Sequence, residues 1–168
     1  MLSWSLQAGI VDLRLKSGVY TVQLTRHTDY SLRILLYLGA IDAPVTIADI
    51  ATCYGISRNH LVKVAHRLGQ LGFISTMRGR TGGLALAHDP KAITLGHVVR
   101  VMEPGFDIVE CFDNATNQCV ISDVCRLRSA LTEANLAFLK VLDGYTLADL
   151  LADPAQIRKS LGLSKVNS

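Results

Sequence analysis

From residue 22 onward, apolar side chains recur at three- and four-residue spacing, the period of helices that bury one face. In LTRHTDYSLRILLYL (24–38) this predicts a first helix, with Thr28 as cap and Asp29 in the first turn, where the dipole favours an anion. Leu32, Leu35 and Leu36 face inward, and Gly39 is the expected C-terminal stop. After a loop with Pro44, Thr46 precedes a short helix, IADIATCY, ended by Gly55. Ser57 caps a third helix, RNHLVKVAHRLGQL, whose Leu61, Val64, Ala65, Leu68 and Leu71 share a face before Gly72. The pattern then changes. FIST (73–76) and LALA (84–87) are β-prone and flank a basic glycine turn, MRGRTGG (77–83).

Beyond the hairpin, Thr94 starts a helix, LGHVVRVME, stopped by Pro104 and Gly105. Residues 105–122 carry two cysteines and little periodicity. A long helix is predicted over about residues 123–143, with Leu127, Leu131, Ala134, Phe138 and Leu142 spaced 4, 3, 4 and 4, close to coiled-coil spacing. Gly144 breaks it, Thr146 and Asp149 form a capping-box pair for TLADLL, and the tail beyond Pro154 is read as loose. The expected organisation is an N-terminal extension (1–21), a helix-turn-helix with its hairpin (22–92), a cysteine loop with two helices (93–151) and a flexible tail (152–168). For the first segment two readings stay open: a genuine extension, or a start at Val22 from a GTG codon.

Two short helices joined by a glycine turn and followed at once by a basic-tipped hairpin make a winged helix-turn-helix, so the fold class is mostly α with a β-hairpin wing. The start of the third helix carries Ser57, Arg58, Asn59, His60 and Lys63, the polar and basic residues that such a helix presents to the major groove. Arginine suits guanine, asparagine suits adenine, and serine reaches base edges or phosphate. Arg78 and Arg80 at the wing tip are placed for phosphate or the minor groove. Charge agrees with a polyanionic partner, double-stranded DNA. Residues 22–90 hold seven basic and four acidic side chains, whereas residues 91–145 hold five and seven.

The chain has 168 residues, 49% of them apolar and 18% charged, which excludes a disordered polymer. No apolar run reaches the roughly 18 residues that span a bilayer. The first residues lack the basic n-region of a secretory signal, so the chain is read as cytoplasmic, without a membrane partner. Thiols stay reduced there, and clustered cysteines are more often metal ligands than disulfides. Cys111, Cys119 and Cys125 form C-x7-C-x5-C, longer than zinc-knuckle spacing and one donor short of a four-ligand shell. An iron–sulfur cluster, a redox disulfide such as Cys119–Cys125, and unligated thiols all remain open on spacing alone. Cys53 is expected to be a small buried residue. The histidines have no HxxxH or HExxH spacing, and P-loop, GxGxxG and GxSxG motifs are missing, so nothing points to an enzyme.

LTRHTDYSLRILLYL (24–38), GISRNHLVKVAHRLGQLGFI (55–74), RGRTGGLALA (78–87), VVRVMEP (98–104), CRLRSAL (125–131) and LDGYTLADL (142–150) together resemble the Rrf-two family of winged-helix regulators. The resemblance spans about residues 22–151 with its elements in family order. It implies a homodimer joined along the long helix, acting as a repressor on a palindromic operator. It implies an iron–sulfur cluster held by Cys111, Cys119 and Cys125. In the nitric-oxide-sensing branch the fourth ligand is a carboxylate near the start of helix one, here Asp29, given by the partner subunit, and nitric oxide is the signal. The cluster-biogenesis branch has a histidine three residues after its last cysteine, where this chain has Arg128, which favours the nitric-oxide branch. The gap between Cys111 and Cys119 is longer than the family pattern, which leaves both 4Fe–4S and 2Fe–2S clusters open. Regulators of the same family that answer iron status or thiol redox state are the alternative.

Overall fold

The computed structural model describes residues 23–41, 43–77, 79 and 82–163. The 1–21 extension and the Val22 start lie outside these residues, as do Arg78 and Arg80. Helix α1 spans Arg26–Ala40, α2 Ile47–Tyr54 and α3 Arg58–Gln70. The hairpin follows as β1 (Ile74–Met77) and β2 (Gly83–Leu86), then α4 (Leu95–Met102), α5 (Arg126–Asp143), α6 (Leu147–Leu150) and α7 (Pro154–Ser160).

The core forms where the inward stripes meet. Ile34, Leu35 and Leu38 of α1 pack with Ile50 of α2 and with Leu61, Val64 and Leu68 of α3. Val98 and Met102 of α4 and Leu147 of α6 belong to the same cluster, so the segment before the cysteine loop shares its core with the helix-turn-helix. The hairpin is antiparallel, with Ile74 opposite Leu86 and Met77 opposite Gly83. A third segment joins it: Val45 and Leu84 exchange backbone hydrogen bonds of 3.0 and 2.7 Å. A second bridge, Thr94 with Thr146, ties the start of α4 to the start of α6.

Several boundaries differ from expectation, each for a local reason. Helix α1 starts a turn early, because the Thr25 hydroxyl accepts from the Thr28 amide at 3.3 Å; Thr28 itself is fully buried. Gly39 lies inside α1 rather than after it, and its bare Cα leaves room for the buried Leu151 side chain. Ser57 occupies the cap position of α3, yet its hydroxyl makes no capping bond. The long helix begins at Arg126, since residues 122–124 form a separate 3-10 turn and the extended Cys125 occupies the cap position of α5 without a side-chain capping bond. The tail is not loose where it is described. Asp153 caps α7, Pro154 sits at its first position, Ile157 and Leu161 pack on the core, and Arg158 donates to the Ala40 carbonyl at 3.0 Å. The capping box of Thr146 with Asp149 forms as the spacing predicts, and Thr46 makes a second one with Asp49.

Candidate functional site: a nucleic-acid interface and a cysteine loop

Helix α3 divides cleanly. Leu61, Val64, Ala65 and Leu68 are buried, while Arg58, Asn59, His60, Val62, Lys63, His66 and Arg67 are exposed. The helix contains no acidic residue, and its first turn opens with the free Ser57 hydroxyl. Among the described residues, Ser57, Arg58, Asn59, His60 and Lys63 make no side-chain hydrogen bond or ion pair with the protein. Long polar side chains with their donors and acceptors unspent suit an external partner. The packing that aims this face is fixed by Gly55, whose left-handed backbone (φ 63°) turns the chain between α2 and α3.

Cys111, Cys119 and Cys125 lie on the segment between α4 and α5, and all three are free thiols. The segment braces itself. Asp113 accepts from the Ala115 amide at 2.9 Å and the Thr116 hydroxyl at 2.7 Å, which holds its carboxyl below the ordinary value. Glu110 accepts from the Gln118 amide, Asn117 and Ser122 bond to each other, and Ser122 donates to the Cys119 carbonyl at 2.7 Å. Cys111 and Cys125 are half-buried and Cys119 is exposed. Cys53 is half-buried rather than fully enclosed. Its thiol donates to the Leu161 carbonyl at 3.3 Å, and burial pushes its ionisation up, so it is a packing residue under the C-terminal helix.

Asp29 stands in the first turn of α1 and is held by Arg33 one turn on, with Nε–Oδ1 and Nη2–Oδ2 distances of 3.0 and 2.9 Å. The Arg33 guanidinium lies 5.7 Å from the centre of the Tyr54 ring, and the Tyr54 hydroxyl donates to the Arg33 carbonyl at 3.3 Å. Burial, aided by nearby Cys53, raises the Tyr54 hydroxyl to about 12. Asp29 is thereby linked to the last residue of α2. A second tie joins α1 to the cysteine loop: Glu103, directly after α4, accepts from the Thr25 amide at 2.8 Å and the Thr25 hydroxyl at 3.2 Å. Sequence reasoning missed Arg33, Tyr54 and Glu103. Only Arg33 carried a readable signal, its i+4 spacing from Asp29.

A family profile described as Rrf2, iron-dependent transcriptional regulator, matches residues 24–153. The chain belongs to the Rrf2 family. Among its relatives, the HTH-type transcriptional regulator NsrR of Geobacillus kaustophilus is 53% identical over 142 residues, covering 83% of this chain and 97% of that protein. The NsrR of Bacillus subtilis is 52% identical over 147 residues, covering 86% and 100%. Among solved structures, IscR of T. potens superposes with a TM-score of 0.67 at 25% identity, covering 84% of this chain and 94% of that one. The chain is thus a transcriptional regulator with the winged-helix fold of Rrf2 proteins, and its relatives are regulators, not enzymes.

Rrf2 members of the NsrR and IscR types bind iron–sulfur clusters, so the donor set bears on this chain too. Three free thiols on a self-braced loop match the preference of such clusters for thiolate. Among the described residues, no three His, Cys, Asp or Glu side chains converge as a metal site within the single chain. The donor types fit a cluster, and the shell is not assembled among the described residues of the single chain. No helix among the described residues is long and apolar enough to cross a membrane.

Proposed function

We propose that this Rrf2 regulator is a homodimeric repressor that binds a palindromic operator and leaves it in response to nitric oxide, through an iron–sulfur cluster. The observation that carries the reading is the outward face of α3, where Arg58, Asn59, His60 and Lys63 are exposed and unpaired among the described residues. In a dimer two such helices enter successive major grooves about one helical turn apart, with Ser57 and Lys63 on phosphates and Arg58 and Asn59 on base edges. Arg78 and Arg80 extend the contact from the wing. The protein acts in the cytoplasm, where the operator lies.

The dimer reading is supported by apolar surface left in water. Val120 and Val124 are 98% and 82% exposed, and Leu127, Leu136 and Val141 along α5 are each more than 60% exposed. An α-helix with only Leu139 buried needs a partner for its apolar positions, and a second copy of α5 supplies one.

Cys111, Cys119 and Cys125 would hold the cluster, with Asp29 of the partner subunit as the fourth ligand. When bound, the cluster supplies iron that reacts with nitric oxide. The rest of the response belongs to the protein. The Asp29 carboxylate has one partner among the described side chains, Arg33, whose charge is shared with the Tyr54 ring. An Asp29 drawn away from Arg33 and an Asp29 returned to it are two states with different loads on the end of α2, and operator DNA needs only to prefer one of them.

The test is anaerobic purification with iron and sulfide analysis and an absorption spectrum, then operator binding during nitric-oxide titration. Cluster bands that bleach with a few equivalents, in step with loss of operator affinity, are expected. Arg58→Ala should weaken operator binding and relax specificity at the base it contacts, Lys63→Ala should weaken binding to every operator variant alike, and Asp29→Ala should uncouple binding from nitric oxide. Colourless protein after anaerobic reconstitution that still binds its operator would overturn the cluster and turn the reading to the exposed Cys119 thiol.

A further inference from the structure

The outward face of α3 contains one feature that a phosphate-binding surface does not require. Among its basic and polar side chains sits Val62, 44% exposed, the one large apolar residue of that helix left in water. At about 100° per residue, Val62 lies within roughly 60° of Asn59 and His66 around the helix axis, away from the buried Leu61, Val64 and Leu68 stripe. It is the fifth residue of the helix, still within the N-terminal turns that enter the groove in a helix-turn-helix.

We propose that Val62 reads thymine in the operator, its γ-methyl groups packing on the thymine C5-methyl beside the base contacted by Asn59. The inference rests on the DNA-binding reading above. It adds a base identity that the polar residues cannot supply. In the major groove the C5-methyl is the apolar mark that separates A·T from the other pairs, and an apolar side chain is what recognises it. Adenine faces an asparagine through N6 and N7, so Asn59 and Val62, three residues apart on one face, together suit an A·T-containing step. The position offers no competing use. Val62 borders a shallow cleft with Ile47, Ala65 and Ile74, yet it keeps nearly half of its surface in solvent, so closing that cleft does not account for it.

The experiment uses the full-length protein and a duplex that the protein itself enriches from a randomised pool. Each thymine of the enriched site is replaced in turn by deoxyuridine, which removes only the methyl group. Wild-type affinity should fall about fourfold per half-site at one thymine, the cost of one methyl left unburied. Val62→Ala should bind the thymine and deoxyuridine duplexes equally, and Val62→Thr, which keeps one γ-methyl, should restore the preference. Deoxyuridine changes that leave wild-type binding unaltered throughout, or that weaken wild type and Val62→Ala alike, would overturn the assignment. Should Val62→Ala fail to fold, Val62→Ser, which differs from Val62→Thr by the one γ-methyl, makes the same comparison, and a wild-type series without methyl sensitivity overturns the assignment in either case. Failure to enrich any sequence would strike the DNA-binding reading itself, and Val62 with it, whereas an enriched site without methyl sensitivity strikes Val62 alone.

Discussion

Gly83 opens the return strand of the wing, and replacing it with alanine has a cost that the geometry fixes. A Cβ at Gly83 would stand 2.9 Å from both the amide nitrogen and the carbonyl oxygen of Val45, and 3.1 Å from the carbonyl carbon of Pro44. All three are backbone atoms, so no side-chain rotation relieves the clash. Relief requires moving β2 away from the 44–45 segment, and that breaks the paired Val45–Leu84 hydrogen bonds of 3.0 and 2.7 Å. Each such bond contributes about 1 kcal/mol net. Overpacking adds about 1–3 kcal/mol, and the smaller unfolded-state entropy of alanine returns about 0.4–1 kcal/mol. The net loss is about 3 kcal/mol, or about 10 °C in Tm for a domain of this size. Thermal unfolding followed by circular dichroism measures it. Gly69→Ala in α3 is the control: nothing lies within 4 Å of its Cβ position, and a helix gains roughly 0.5–1 kcal/mol from that change. A Gly83→Ala Tm within about 2 °C of wild type would refute the reasoning, because the strand would then have yielded without losing its bridge.

Gly39→Ala should destabilise despite improving helix propensity, since its methyl meets the buried Leu151 side chain; pairing it with Leu151→Ala should recover part of the loss in a double-mutant cycle of Tm values. Glu103→Gln should weaken the hold on Thr25 by about 1–2 kcal/mol, read as faster hydrogen exchange of the Thr25 and Thr28 amides. Because the folded Tyr54 hydroxyl ionises above its ordinary value, its contribution to stability is complete below about pH 10 and is lost as pH rises towards about 12, which spectrophotometric titration of wild type against Tyr54→Phe checks. The Arg100 hydrogen bonds hold Asp143 below its ordinary value, so that pair stabilises the α4–α5 junction above the ordinary carboxylate range and is lost as pH falls through the depressed value beneath it; the Tm difference between wild type and Arg100→Ala should narrow with acidification below that range.

The helices and the hairpin were legible because their cues are local: Thr146 with Asp149, Gly55, and the buried stripe Leu61–Val64–Leu68 each act within a few residues. What escaped depends on distant partners. Gly39 reads as a helix stop until Leu151 is found against it, and the tail reads as loose until Arg158 finds the Ala40 carbonyl. Thr25 competes with Thr28 for the cap, and the contest is settled by Glu103, 78 positions away. The exposed face of α3 was legible residue by residue, since polarity predicts exposure. Val62 was left unassigned, because an apolar residue off the buried stripe carries no polarity to mark a partner.

The first turn of α1 is where the separate strands of the argument meet. Thr25 is bonded to Glu103, at the root of the cysteine loop, and Asp29 is bonded to Arg33, which reaches Tyr54 at the end of α2. A loop that rearranges at residues 111–125 therefore has two routes to the reading helix, one through the Glu103 carboxylate on Thr25 and one through the Asp29 carboxylate. The routes make different demands. The Glu103 contact lies within one chain and operates in a monomer, whereas the proposed use of Asp29 needs a second copy. Glu103→Gln combined with Asp29→Ala should separate them. If both carry signal, the double variant loses more nitric-oxide sensitivity than either single one. If Asp29 alone carries it, Glu103→Gln lowers stability and leaves the nitric-oxide dose for half-release of operator unchanged.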